Sequence, residues 1–233
     1  MLIFTPQNLV LLIAGLVNLV MSIIVFSRGM KNKINLYFGL LTFFNFLWTL
    51  GLIMINLAVN YELTRFFASF VYPIALLIVV SLFYFTIYFP YESFKLKKSY
   101  QWLINFVLVF YTIYCIFGYK LFVTSVSLSP KVMIYYEFWA YTIFSIILVS
   151  LMLSAIRIIY KKYKLAEGVF KTQLLLILIA IIIGTSLGSY FDLFFVYYQD
   201  HSIDNTYLGP LFTLFINFVV FSFIVMSRDK IKN

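Results

Sequence analysis

Seven uncharged, mostly apolar stretches, each long enough to cross a bilayer, constrain this chain more than any other feature of its sequence. A hydrocarbon core ~30 Å thick needs about 20 residues of helix at 1.5 Å per residue. The stretches run roughly over residues 8–26, 36–57, 66–89, 100–117, 135–156, 172–195 and 207–226, each bounded by charge, proline or a polar cluster. Barrel strands would be ~10 residues long with polar and apolar positions alternating. The run Leu174 to Ile183 reads LLLILIAIII and does not alternate. The predicted fold class is therefore all-α: a polytopic membrane protein, residues 1–233 forming a single seven-helix transmembrane domain. Hydrophobic residues make up 64% of the chain and charged residues 11%, whereas a soluble domain is about a quarter charged. A soluble enzyme, a disordered chain and a collagen-like chain are excluded. The amino-terminal MLIFTPQN has no charged region and no small-residue cleavage site behind it. It reads as the start of a retained first helix rather than a removed signal peptide.

The net charge of +9 is unevenly distributed. Arg28, Lys31 and Lys33 follow the first span, and Lys95, Lys97 and Lys98 the third. Arg157, Lys161, Lys162, Lys164 and Lys171 lie between the fifth and sixth, and Arg228, Lys230 and Lys232 follow the seventh. These connections hold 14 of the 17 basic residues, and the alternate ones only Arg65, Lys120 and Lys131. The asymmetry predicts a multi-pass protein of the cell membrane, with its N-terminus outside and its C-terminus cytoplasmic. The basic loops are expected to meet anionic lipid headgroups, each Lys or Arg contributing ~1 kcal/mol near the surface. They are short and no soluble domain shapes them into a groove, so no nucleic-acid partner is expected. Tyr37, Tyr91, Tyr100, Trp102, Tyr160 and Tyr163 fit an inner aromatic belt, and Tyr119, Tyr135, Tyr136, Trp139 and Tyr207 an outer one.

Most membrane chemistry is excluded by what the chain lacks. With Cys115 its one cysteine and His201 its one histidine, no disulfide framework, Cys-based metal site or two-imidazole mechanism can be built. Gly184 to Gly188 matches G-x-S-x-G, but lies within a span rather than on a strand-to-helix turn. Its serine is about 22 Å of helix from His201, and no lysine lies at mid-membrane depth. Gly184 and Gly188 read instead as a small-residue packing face. The seventh span, YLGPLFTLFINFVVFSFIVM, has no lysine to carry a retinal Schiff base. No P-loop or dinucleotide fingerprint is present. The chain is expected to be no enzyme and to hold no catalytic residue, metal or cofactor.

Ionisable groups near membrane depth are costly and often functional. On the outer side they are Arg65, Glu137 and Asp192, and Asp192 lies deepest. Thr185, Ser189 and Asp192 are spaced i, i+4, i+7 and share a helical face with Gly188. Tyr72, Tyr136, Trp139, Tyr141, Tyr190, Phe191 and Phe194 lie around these groups. A carboxylate among aromatic rings suits a cationic or amphipathic small ligand at the outer face. Asp192, Glu137, Arg65, Tyr72, Trp139, Ser189 and Thr185 form the candidate ligand set. The competing reading pairs Arg65 with Glu137 or Asp192 and gives the hydroxyls to helix contacts. Asn18, Asn45, Asn105 and Asn217 are expected to make interhelical hydrogen bonds. A transporter would show internal repeats or helices broken at mid-membrane. No repeat is found, and Pro6, Pro73, Pro90, Pro130 and Pro210 all read as loop or outermost-turn residues.

Several segments together resemble the N-terminal seven-helix sensor region of prokaryotic histidine kinases and related signalling proteins. The second span carries FNFLWTLG with Trp48, and the third carries Tyr72 and closes with FTIYFP at Pro90. The fifth opens with YYEFWAY, and the basic loop leads into the sixth through Lys171-Thr172-Gln173. Asp192 falls where that family tends to have a polar residue. The seventh begins LGPLFTL and exits into MSRDKI. The resemblance implies a membrane-embedded sensor of a ligand or of membrane state, signalling by movement of the seventh helix. An outer cavity between the third, fifth, sixth and seventh helices would hold the ligand. The basic loop and the Arg228-to-Asn233 tail would report to a cytoplasmic signalling partner or a second copy. Only SRDKIKN follows the seventh span, without the family's phosphoacceptor and ATP-binding domains. A separate sensor subunit, or the membrane part of something longer, is expected. A small-molecule transporter or permease, and a structural or assembly subunit of a membrane complex, are the alternatives.

Overall fold

The computed structural model describes residues 5–58, 60–92, 96–128, 132–199 and 205–226. Lys95, Pro130, Lys131, His201 and the Arg228-to-Asn233 tail, all named above, lie outside them. Helix α1 (Pro6–Ser27) starts behind Thr5, whose hydroxyl accepts the Asn8 N–H at 3.2 Å. Asn32 caps α2 (Lys33–Leu57) through Ile34 N–H at 2.9 Å, and Asn60 caps α3 (Tyr61–Tyr88) through Leu63 N–H at 2.8 Å. These side chains satisfy N–H groups that a helix start leaves free. Next come α4 (Lys98–Phe117), the one-turn helix α5 (Tyr119–Phe122), and strands β1 (Val123–Ser127) and β2 (Met133–Tyr136). Helices α6 (Phe138–Leu165) and α7 (Gly168–Ser189) follow, and α7 continues as a π-helical segment, Tyr190–Gln199. Helix α8 (Leu208–Met226) is last.

Six of these helices are long and apolar enough to cross a membrane; the seventh crossing is the shorter α8. Its 19 residues reach about 28 Å, near the hydrocarbon thickness. The chain is thus a seven-helix membrane bundle. Helices α1, α2, α3, α6, α7 and α8 each pack on the next, and α8 returns to α1, closing a ring. Helix α4 stands outside this ring against α3: only 11% of its most apolar stretch is buried, against 72% for α3. Asn217 of α8 donates to Asn18 Oδ1 of α1 at 2.7 Å, closing the ring with an interhelical hydrogen bond. Asn45 instead donates to the Leu41 carbonyl of its own helix at 2.9 Å, and Asn105 is exposed on α4.

Four features depart from the sequence expectation. An antiparallel β1–β2 hairpin caps one end of the bundle, so the fold is not wholly helical. Its Val123, Ile134 and Tyr136 plug the helix ends together with Phe122 of α5, all four buried. Secondly, α6 runs on to Leu165, leaving Ala166 and Glu167 as the connection to α7 where a basic loop was expected. Lys and Arg are good helix formers and extend the helix past its apolar part. Gly168, at φ 57°, makes the turn that this short link needs. Thirdly, Pro73 lies in the fourth turn of α3, not at its edge, because that helix begins at Tyr61. Proline there removes a backbone donor beside Tyr72. Finally, Lys162 is buried and does not reach headgroups. Its ammonium lies 2.8, 2.7, 2.6 and 2.8 Å from the carbonyls of Thr86, Ile87, Phe89 and Tyr91. A helix C-terminus leaves carbonyls unpaired and favours a cation; Lys162 of α6 supplies it to α3.

Candidate functional site

A cavity of about 100 Å³ opens inside the ring, between α2, α3, α6, the α7–π segment and α8, with Ile134 and Tyr136 of β2 at its hairpin end. Such a volume takes several waters or one small organic molecule. Its walls are almost entirely carbon. The deepest lining residue on each helix is Leu41, Leu82, Met152, Gly184 or Asn217. Three residues beyond each stand Phe38, Phe85, Ala155, Ile181 and Val220, all at 0% exposure. These five buried side chains form the floor beneath the cavity's deepest residues, toward the end of the bundle away from the hairpin.

The polar face foreseen on α7 meets this space: Thr185, Gly188, Ser189 and Asp192 all line it, as does Gly184. Thr185 donates to the Ile181 carbonyl at 2.6 Å and Ser189 to Met152 Sδ at 3.5 Å. Asp192 stands in the π-helical segment, held to α6 by Tyr141. The Tyr141 hydroxyl donates to the Leu193 carbonyl at 2.8 Å, and its ring stacks on Tyr197 at 4.4 Å. One face of the Asp192 carboxylate rests on Gly209, where any Cβ would overlap it. Gly209 lies in the first turn of α8, whose free N–H groups favour an anion. Asp192 Oδ1 is sealed from solvent and has no hydrogen-bond partner.

The two glycines separate. A Cβ on Gly184 would meet the Ile216 side chain at 2.5 Å and the Phe212 carbonyl at 2.9 Å, so α7 and α8 touch there. A Cβ on Gly188 would meet nothing within 4 Å. Gly188 therefore faces the cavity rather than a packed helix.

Tyr72 lines the cavity from the centre of an aromatic wall. Its ring stands edge-on to Phe122, Phe144, Tyr136 and Tyr141, with centroids 4.8, 4.9, 5.1 and 5.8 Å away. Arg65, Glu137 and Trp139 do not line it. The Arg65 guanidinium holds the carbonyls of Lys120, Val123 and Thr124, fastening the hairpin to α3, and pairs with neither Glu137 nor Asp192. Glu137 is the N-cap of α6, accepting the Ala140 N–H at 2.6 Å. Trp139 is 68% exposed on the outer face of α6. Among the described residues the ion pair is Lys120 with Glu62, at 3.1 Å. The hydrogen bond to that carboxylate holds the Lys120 ammonium above its ordinary range. Both groups are well exposed, so the pair contributes little to stability.

Sequence reasoning missed several lining residues. Asn45 and Trp48 of α2, Met152 of α6, and Thr213 and Asn217 of α8 all face the cavity. The signal that could have found Asn45 is its place, twelve residues from either end of an apolar helix. A family model described as the N-terminal 7TM region of histidine kinase matches residues 10–228. No curated protein matches the chain.

Proposed function

The chain belongs to the family of N-terminal 7TM regions of histidine kinases, and from that premise we propose that it detects a small amphipathic molecule in its central cavity and reports it through α8. It is a membrane sensor module of that family; the ligand, the site and the route of the signal are the proposal. The floored cavity carries this reading. The five fully buried side chains beneath the cavity favour a closed receptor over an open channel. A purely structural subunit has no use for a carbon-walled space holding a sealed carboxylate oxygen.

Helix α8 gives Thr213, Ile216 and Asn217 to the cavity wall. It is tied to α1 through Asn217 and Asn18, and again near its far end, where Arg28 donates to the Ile224 carbonyl at 3.3 Å. A ligand that fits one setting of α8 against α1 better than another shifts the balance by its differential affinity, typically ~1–3 kcal/mol. In this reading the chain binds and relays but catalyses nothing. The hairpin faces the exterior of the cell, and exposed Lys31, Lys97, Lys98, Lys161 and Lys164 meet anionic headgroups at the cytoplasmic face. A cytoplasmic signalling partner or a second copy receives the movement.

The test uses spin labels on Ile23→Cys of α1 and Phe218→Cys of α8, positions 58% and 62% exposed. The probes are n-hexylamine, hexan-1-ol and hexanoate. At least one should alter the label-to-label distance distribution, and Gly188→Phe, which fills the cavity, should abolish the change. An unchanged distribution with all three sinks the proposal.

A further inference from the structure

The cavity's polar atoms are unbalanced, and the imbalance specifies a ligand. The hydroxyls of Thr185, Ser189 and Thr213 donate to Ile181, Met152 and Pro210, and the Asn217 amide donates to Asn18. Two acceptors on residues that line the cavity are left over: Asp192 Oδ1 and Asn45 Oδ1, both sealed from solvent and without a hydrogen bond. The Asn45 amide nitrogen is committed to the Leu41 carbonyl at 2.9 Å. Turning the amide over would set oxygen against oxygen, so the oxygen is the atom left unpaired. Buried acceptors without partners are rare and costly, and more so in a carbon-walled space. They call for donors. Asp192 is the ionisable one of the two, and no cation among the described residues pairs with it: Lys120 holds Glu62, Arg65 the hairpin, Lys162 the end of α3. The two acceptors also lie at different depths. Asp192 is seven residues from the end of the π-helical segment, beside the hairpin, whereas Asn45 is twelve residues from the corresponding end of α2.

Resting on the ligand-site reading above, we infer that the cavity takes an amphipathic amine with a second donor. Its ammonium pairs with Asp192 at the hairpin end, an apolar body lies along Trp48 and Tyr72, and a hydroxyl or equivalent N–H at the far end reaches Asn45. Hydroxylated alkylamines and arylalkylamines are the class.

Trp48 lines the cavity, whereas Trp102 and Trp139 are 74% and 68% exposed. Replacing those two with Phe makes Trp48 the single fluorescent reporter. The purified protein in detergent micelles is titrated with linear amino alcohols of graded length, and with the n-alkylamines and n-alkanols of the same lengths. At the best length the amino alcohol should bind roughly tenfold tighter than the amine, the worth of one added buried hydrogen bond. A hydroxyl weakens partition into the micelle, so tighter binding cannot come from the detergent. Asn45→Leu should erase the advantage of the hydroxyl while the amine still binds, and Asp192→Asn should erase the preference of the amine over the alkanol. An amino alcohol no tighter than the amine at every length, or an advantage that survives Asn45→Leu, overturns the two-point inference; the first comparison needs no variant at Asn45. Failure of the ligand-site reading looks different: no probe changes Trp48 emission, or the changes persist in Gly188→Phe.

Discussion

Gly184 and Gly188 are one turn apart on α7 and occupy opposite kinds of place. At Gly184 an added methyl would press on the Ile216 side chain and on the Phe212 carbonyl, and a backbone carbonyl cannot step aside. Gly184→Ala should therefore destabilise the bundle by ~1–3 kcal/mol, the usual range for overpacking. At Gly188 the methyl enters open space, and alanine is the better helix former by about 0.5–1 kcal/mol. Gly188→Ala should raise the melting temperature in micelles while Gly184→Ala lowers it. A drop for both would mean that Gly188 also packs on a helix. The sequence places both glycines, Thr185, Ser189 and Asp192 together because helical spacing is a local property. It cannot tell which glycine touches a neighbour, since that depends on Ile216 and Phe212 from another helix. Asn45 and Gly209 were illegible for the same reason: one matters because an oxygen goes unpaired, the other because a carboxylate lies on its α-carbon. Arg65 and Glu137 looked like ligand groups because charge near a membrane is costly. The hairpin carbonyls and the α6 N-terminus satisfy them instead.

Elements fail to be read where their cause lies on another element. Lys162 sits among Lys161 and Lys164, and nothing local marks it as the one that turns inward to cap α3. Replacing it removes a charge-assisted partner from four carbonyls at once, each such bond contributing ~1.5–3 kcal/mol. Lys162→Gln should cost ~3 kcal/mol or more, whereas Lys161→Gln, at an exposed position, should stay within about 0.5 kcal/mol. Matched thermal melts decide it; equal losses would mean that Lys162 acts only as a surface charge. The π-helical segment is a second case. YFDLFFVYYQ contains neither proline nor glycine, so no breaker announces the change of pitch. The Tyr141 hydroxyl on the Leu193 carbonyl is a contact made across helices, and it holds the segment at the level where Asp192 enters the cavity. The hairpin was hidden by composition: Val123 to Ser127 is short and reads as outer loop, and Met133 to Tyr136 straddles the start of the fifth apolar span.

For the whole molecule, the count of crossings was legible because bilayer thickness sets helix length whatever the partners, while the closure of six helices into a ring with α4 outside was not. Which face is which rests on charge. Exposed Lys31, Lys33, Lys97, Lys98, Lys161, Lys164 and Lys171 cluster at the end away from the hairpin, the asymmetry expected of a cytoplasmic end. The proposal for sensing needs this orientation, because the hairpin end of the cavity and Asp192 must then face the exterior and the far end of α8 the cytoplasm. Cysteine labelling tests it directly. Cys115 is fully buried in α4 and inert as a background thiol, so new cysteines at exposed Ser125 in β1 and exposed Lys161 in α6 report one face each. In intact cells a membrane-impermeant maleimide should label Ser125→Cys and leave Lys161→Cys unlabelled until the membrane is permeabilised. The opposite pattern would put the hairpin end of the cavity toward the cytoplasm and make the ligand an internal metabolite. Labelling of both from outside would mean that α6 does not cross, and the seven-span arrangement would fall with it.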